Sequence, residues 1–295
     1  MAQQKYALVS GASSGIGFEV SKALAKKGYK VFGCSLEHTL WEMKPLQEYG
    51  VVPVACDISK VEDIKKAAQF IKEQTGGRLD ILYNNAGISV GGPAIEIKDD
   101  DLERIFKVNV FGHIYMTKYM ADFVIATKGS IIFTSSVAGK VPLSWCGAYC
   151  STKAAIDQYA LVLHGEMKPF GVRVHSVITG GVVTAIGDPL ITDSMIDSRY
   201  DVPGIYDSLR AAARMSRDTN YSASRYANEV VAKITKRCDP GFNIYKGYRA
   251  VLLNFIRAYF PVWLMEYLIM FYFKQLKVFR GVKSRVALAS KQKIE

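Results

Sequence analysis

Short apolar runs alternate with longer stretches of helical period along the first 180 residues of this chain. The runs are Ala7–Ser10, Lys30–Cys34, Val51–Ala55, Ile81–Asn84, Ser130–Ser135 and Arg173–Val177. Between them, apolar positions recur every three or four residues over Gly15–Lys27, Val61–Gln74, Asp100–Thr127 and Tyr149–Lys168. Strands that alternate with helices predict a parallel sheet covered by helices on both faces. No repeat, linker or low-complexity tract interrupts the pattern. We therefore expect an α/β unit with a doubly wound parallel sheet over residues 1–249. Residues 250–295 have a different, aromatic-rich composition and are expected to form a C-terminal helical extension.

The joint between the first strand and first helix reads Gly11-Ala12-Ser13-Ser14-Gly15-Ile16-Gly17. Glycine permits positive φ and lets a pyrophosphate approach the backbone. The following helix N-terminus presents free N–H groups to phosphates. A second cluster reads Tyr149-Cys150-Ser151-Thr152-Lys153, within a helical pattern. A four-residue step stacks the phenol and the ammonium on one helix face. A nearby ammonium favours phenolate, so the phenol is expected to titrate below its usual value and to exchange protons near neutrality. Ser136 lies thirteen residues upstream, at the end of a strand-like run. Together these point to a nicotinamide-dependent oxidoreductase.

On these residues the chain resembles the short-chain dehydrogenases/reductases, which have a Rossmann fold. The resemblance runs from Lys5 to Thr184 and includes Asp57-Ile58, Asn84-Asn85-Ala86-Gly87, Asn109 and Gly180. It implies a catalytic tetrad of Asn109, Ser136, Tyr149 and Lys153. It also implies a cofactor site drawn from Gly11, Ser13, Gly15, Ile16, Gly17, Ser35, Asp57, Asn85, Gly87, Lys118, Tyr149, Lys153, Val182 and Thr184. Asp57 and Asn85 would border the adenine side, Lys118 would support the site, and Val182 and Thr184 would reach the nicotinamide carboxamide. One departure is visible, Thr179-Gly180 where the family usually has Pro-Gly.

Finer segments are similar to fungal NADPH-dependent 1-acyldihydroxyacetone-phosphate reductases. They include Tyr83 to Gly87, Phe106 to His113, His164 to Phe170, Ile178 to Val182, Pro261 to Glu266 and the Lys-rich end. That resemblance implies NADPH as cofactor, a lipid ketone as substrate, and a place at the endoplasmic reticulum membrane and lipid droplets, facing the cytosol. Ser35 stands where NAD-specific relatives carry a carboxylate, so NADP is permitted. Leu36 and Glu37 supply no cation for its extra phosphate.

The net charge of +11 is concentrated at the end, where residues 274–295 hold seven Lys/Arg and one Glu. No groove-reading helix or stacking motif accompanies it, so nucleic acid is not the expected partner. Just before it, from Ala258 to Phe273, Glu266 is the one ionisable acid or base among Tyr259, Phe260, Trp263, Tyr267, Phe271, Tyr272 and Phe273. Sixteen helical residues span about 24 Å, less than the ~30 Å hydrocarbon core. A segment lying in the interface of an anionic membrane is the expectation. The alternative is a helix packed on the core or against a second copy in a homodimer. The five cysteines and four histidines show no metal spacing and suit a reducing compartment. The first strand begins within five residues of Met1, so a signal peptide is not expected.

Between Asp207 and Asn220 a helical pattern aligns Arg210, Arg214 and Arg217, which would suit a substrate phosphate or simply a solvated face. Finally, Gly11-Ala12-Ser13-Ser14-Gly15 also matches the G-x-S-x-G elbow of serine hydrolases. A lipid esterase is the reading from another class, and it requires His164 or His175 to serve Ser13.

Overall fold

The seven strands are parallel and run in the order β3-β2-β1-β4-β5-β6-β7. They are β1 (Lys5–Ser10), β2 (Tyr29–Ser35), β3 (Val52–Ala55), β4 (Ile81–Asn84), β5 (Ser130–Ser136), β6 (Arg173–Thr179) and β7 (Asn243–Lys246). The structure, a computed structural model, describes residues 3–186 and 198–292. Order reverses between β1 and β4, and a crevice opens there at the C-terminal ends of the strands, as doubly wound sheets dictate. The Rossmann-type sheet expected from the pattern is thus present.

Helices cover both faces. On one, α3 (Val61–Thr75), α5 (His113–Ile125) and α6 (Gly147–Glu166) enclose Phe32, Ile64, Leu82, Met116, Phe133 and Ile156. On the other, α1 (Gly15–Lys26) and α8 (Ala223–Ile234), with the short α2 (Lys44–Gln47), enclose Val20, Leu24, Met43, Tyr83, Tyr226 and Val230. Strands buried on both sides carry apolar residues throughout, which is why the sequence shows runs and not alternation.

Three expectations need correction. The pattern Asp100–Thr127 is not one helix: α4 (Asp99–Phe106) passes through a π-helical turn, Lys107–Gly112, into α5. The helix expected over 207–220 is α7 (Ile205–Ala213); Arg214 opens a 3-10 turn and Arg217 follows it, so the three arginines do not share one helical face. Strand β7 was not foreseen; four residues after Pro240-Gly241 carry little pattern, and pairing with Ser176–Thr179 makes them a strand.

The C-terminal segment is three helices: α9 (Ala250–Tyr259), α10 (Val262–Tyr272) and α11 (Gln275–Gln292). Pro261 caps α10, and Lys274 breaks the chain again at φ +57°. Among the described residues no helix is long and apolar enough to cross a membrane. Lys293 and Glu295 of the basic tail lie outside the described residues. Met265, Ile269, Phe273 and Val278 form a third core with Leu143, Trp145, Ile205, Leu209 and Ala212. The C-terminal helices therefore pack on the loop before α6 and on α7.

That packing is one-sided, which is testable. Ile269 is 7% exposed and Phe271 is 69% exposed. Ile269→Ala should cost about 2–5 kcal/mol of stability in urea unfolding. Phe271→Ala should change it by no more than about 0.5 kcal/mol. Equal costs would mean that α10 has been assigned the wrong buried face.

Candidate active site

The glycine turn leaves β1 with Gly11 at φ +67° and Gly15 at φ +55°. A Cβ on Gly17 would lie 2.1 Å from the Gly11 carbonyl oxygen, so the turn folds too tightly for any side chain there. Asn85 holds this turn from the end of β4: its Nδ2 donates to the Ser10 carbonyl at 3.0 Å, and its Oδ1 accepts from Thr134 at 3.1 Å. Ser14 caps α1 without a side-chain hydrogen bond, and no acidic residue lies in the first turn. The helix N-terminus therefore keeps donors for an anion. Ser13 and Ile16 are half-buried beside it, and Thr184 lies against Gly15, where an added Cβ would be 3.3 Å from its methyl group. Val182 is buried in the core beneath.

On the other side of the crevice, Ser35 ends β2 and its hydroxyl bonds that of Thr39 at 2.8 Å. A cavity of about 510 Å³ opens beside it, lined by Leu36, Glu37, His38, Asp57, Lys60 and Lys66 among others. Burial pushes the Asp57 carboxyl up, but the Ser59 hydroxyl and N–H and the Lys60 ammonium more than offset this and hold it below the usual range. The tight glycine turn, the uncapped helix end and this cavity fit the pyrophosphate and adenosine of a dinucleotide.

The other half is built around Lys153. Gly139 follows β5, and a Cβ there would meet the Lys153 backbone at 2.8 Å, so α6 comes down directly on the strand end. This brings Tyr149 beside Ser136, whose hydroxyl donates to the Thr179 carbonyl at 3.4 Å. Ser136 also caps the next turn, accepting from the Ala138 N–H at 3.1 Å. Lys153 is fully buried, donates to the Thr134 carbonyl at 2.9 Å and sits 5.6 Å from the centre of the Tyr149 ring. Burial lowers its pKa to about 8. Burial also raises the Tyr149 phenol well above its usual value, and the neighbouring Ser136 hydroxyl only partly opposes this. The expected lowering of the phenol toward neutrality is therefore not met in this structure. Desolvation dominates, and the neighbouring Cys150 and Cys146 thiols add to it.

Asn109 lies in the π-helical turn and is wholly buried. Its side chain accepts from the Ile88 N–H and donates to the Ile88 carbonyl, both at 2.9 Å, and donates to Thr152 at 3.1 Å. Gly87 leaves the space between them, since a Cβ there would lie 3.3 Å from Asn109 Oδ1 and 3.8 Å from Lys153 Nζ. The structure brings Asn109, Ser136, Tyr149, Lys153, Gly87 and the glycine turn to one end of the sheet. It does not bring Lys118 there. That side chain is exposed and rests over the Tyr119 ring.

Four further residues position this site. His113 is buried, its Nε2–H donating to the Ala86 carbonyl at 2.7 Å; burial lowers it to about 3, so it stays neutral. Trp145 adopts φ +65° and donates its indole N–H to Ser208, which donates to the Phe273 carbonyl. This relay ties the loop before Tyr149 to α7 and to the end of α10. Thr179, at the Pro-Gly departure, bonds the buried Tyr226 hydroxyl at 2.6 Å. Gly180 is required next, because a Cβ would meet the Tyr248 carbonyl oxygen at 2.2 Å. Of these, His113 and Thr179-Gly180 stood in segments that the resemblance covers. Trp145 carries no sequence signal, because the relay it starts joins segments more than 60 residues apart in the chain.

Neither histidine needed for a hydrolase serves Ser13. His164 is bonded to the Val174 carbonyl and His175 to the Gly241 carbonyl.

Comparison with known proteins agrees with this geometry. The family model described as short chain dehydrogenase matches residues 5–194. An NADPH-dependent 1-acyldihydroxyacetone phosphate reductase of Saccharomyces cerevisiae is 41% identical over 96% of this chain and 95% of its own. A short-chain dehydrogenase of Penicillium ochrochloron is 31% identical over 90% of this chain and 96% of its own. Among solved structures, a short-chain dehydrogenase from Streptomyces avermitilis shares the fold at a TM-score of 0.75 and 24% identity, over 88% of this chain and 95% of that one. Another, from Burkholderia cenocepacia in complex with NADP, matches at a TM-score of 0.68 and 23% identity, over 87% and 94%. The turn, the Tyr149–Lys153 pair and these matches agree: this chain belongs to the short-chain dehydrogenase/reductase family of oxidoreductases.

Proposed function

We propose that the protein uses NADPH to reduce the ketone of 1-acyldihydroxyacetone phosphate, giving 1-acylglycerol 3-phosphate. The observation that carries this reading is the 41% identity to the yeast reductase, which extends over the C-terminal helices as well as the sheet. Six other fungal relatives at 28–31% identity, each named simply as a short-chain dehydrogenase, support a second reading, in which the reaction is shared but the lipophilic ketone differs. A product that enters membrane lipid supports a place at the endoplasmic reticulum surface and lipid droplets, with the site facing the cytosol.

A reduced nicotinamide, when bound, supplies the hydride. The glycine turn and the N-terminus of α1 would hold its pyrophosphate, Ser35 and Asp57 would flank the adenosine, and Lys153 and Thr184 would meet the nicotinamide half. As negative charge grows on the substrate oxygen, Ser136 donates a hydrogen bond to it and Tyr149 gives it a proton. A phenol held above its usual pKa by burial is fully protonated at neutral pH, as the reducing direction requires. Lys153 then stands beside the resulting phenolate, and Asn109 fixes the Ile88 backbone next to it.

Tyr149→Phe should lower the reduction rate about 10²–10⁴-fold and leave NADPH affinity nearly unchanged. Near-parental turnover would reject Tyr149 as the acid. Ser35→Asp should shift preference toward NADH by repelling the 2′-phosphate; an unchanged ratio of efficiencies would remove Ser35 from that role.

The buried ammonium gives a stability test. The native state releases its Lys153 proton near pH 8, whereas the ordinary lysine value is 10.5. Between these values the unfolded chain binds more protons, so stability rises with pH across that window. Against Lys153→Met, the parent should gain about 1–2 kcal/mol from pH 7.5 to about 9.5. Parallel profiles in urea would show that Lys153 is not held in a desolvated state.

For the substrate phosphate, we infer a role for the turn after α7. The Met215 carbonyl and Thr219 approach Gly181, and Arg214 and Arg217 flank this turn. Arg214→Ala or Arg217→Ala should raise KM for the phosphorylated ketone roughly 10- to 150-fold and spare a long-chain ketone without phosphate. Equal effects on both ketones would leave these arginines a structural role.

A further inference from the structure

Helix α10 buries a single narrow stripe. Met265 and Ile269, one turn apart, point inward with Phe273, yet Glu266 is the helix's one charged residue. Val262, Trp263, Tyr267, Leu268, Phe271 and Tyr272 are 46–69% exposed. Next to them on α9, Val251, Leu252, Phe255 and Tyr259 are 51–74% exposed, and Phe260 is exposed in the bend. A helix that is apolar on all sides is normally buried on all sides. Here the outer half stays about half or more exposed, with Arg249 stacked over Tyr272, and the exposed apolar side chains lie on two consecutive helices.

The charge carried by the same run of C-terminal helices indicates what covers it. Arg257, Lys274, Lys277, Arg280 and Lys283 are all exposed. Among the described residues none of them pairs with an acidic side chain. A second copy would bring the same cations against one another. An anionic lipid surface would take the aromatic side chains into its headgroup region and attract the exposed cations of the same C-terminal helices. Eleven residues of α10 span about 16 Å, which suits a helix lying in that plane and not one crossing it.

The inner stripe of the same helix shares its core with Leu209 and Ala212 of α7 and with Trp145, and Tyr149 borders that core. We propose that the outer face of α9 and α10 docks the protein on an anionic phospholipid membrane and sets this side of the active site against the lipid. A long acyl chain can then stay in the bilayer while its ketone reaches Tyr149. The docking stands on the exposed face alone; its use for substrate delivery rests on the lipid-ketone reading above.

The test uses the full chain and the variant Phe255→Ser/Trp263→Ser/Phe271→Ser, whose three positions are 52%, 67% and 69% exposed. Flotation with phosphatidylcholine vesicles containing phosphatidylserine should capture the parent, and the triple variant should bind on the order of 10-fold more weakly or worse. Added salt should weaken capture of the parent by screening the tail. NADPH oxidation with a short, water-soluble ketone should stay within about twofold of the parent, which also shows that the variant is folded. Turnover of a long-chain ketone embedded in the vesicles should fall with binding. Equal flotation of parent and variant overturns the docking. So does a parent that ignores vesicles but forms a dimer which the triple variant dissolves, since the face would then belong to a second copy. Lost flotation with unchanged turnover of the embedded ketone overturns the delivery. Vesicle capture by a protein that reduces no lipid ketone supports the dock and rejects the proposed reaction instead.

Discussion

A charged side chain with almost no contact with water must find acceptors, and the arrangement of this site follows from how Lys153 does so. Its ammonium is sealed under the end of β5, with the Thr134 carbonyl as its one hydrogen-bond acceptor among the described residues. Reaching that carbonyl requires α6 to sit on the strand end, and Gly139 removes the side chain that would prevent it. The same descent sets Tyr149 beside Ser136. Gly87 and Asn109 leave and line the space around the ammonium from the opposite side. Removing any one of these close approaches would either expose the lysine or strand it without an acceptor.

The crevice facing this cluster is held by backbone approaches that tolerate no side chain. Gly17 folds against Gly11, and Gly180 against Tyr248. The second contact gives a physical account of the Thr179-Gly180 departure. Thr179 hydrogen-bonds Tyr226 from α8, and the strand β7 and the turn after it close over Gly180 and Gly181. The loop is thus locked by a hydroxyl and by a late strand in place of a proline ring.

Much of this was legible in the sequence because it depends on local pattern. The six strands foreseen, the glycine turn and the Tyr149-to-Lys153 step are set within a few residues of themselves. What escaped depends on partners distant in the chain. Strand β7 is made by pairing with β6, the π-helical turn by the need to point Asn109 inward, and Trp145 by Ser208 and Phe273. Lys118 illustrates the converse. A π-turn shifts the face that α5 presents, so His113 and Thr117 point inward and Lys118 outward. The tuning of Tyr149 differs from its sequence pattern for a related reason: helical spacing reveals a neighbouring charge but not the burial that raises the phenol.

Substrate chemistry is the claim on which the rest of the functional account turns. The most direct measurement supplies the purified protein with NADPH deuterated at the transferable position and 1-hexadecanoyl-dihydroxyacetone phosphate, and reads the lipid product by mass spectrometry. The account predicts 1-hexadecanoyl-glycerol 3-phosphate carrying one deuterium at the carbon that was the ketone. Free fatty acid as the product, or an unlabelled and unreduced ketone from a protein that readily reduces other ketones, would contradict it.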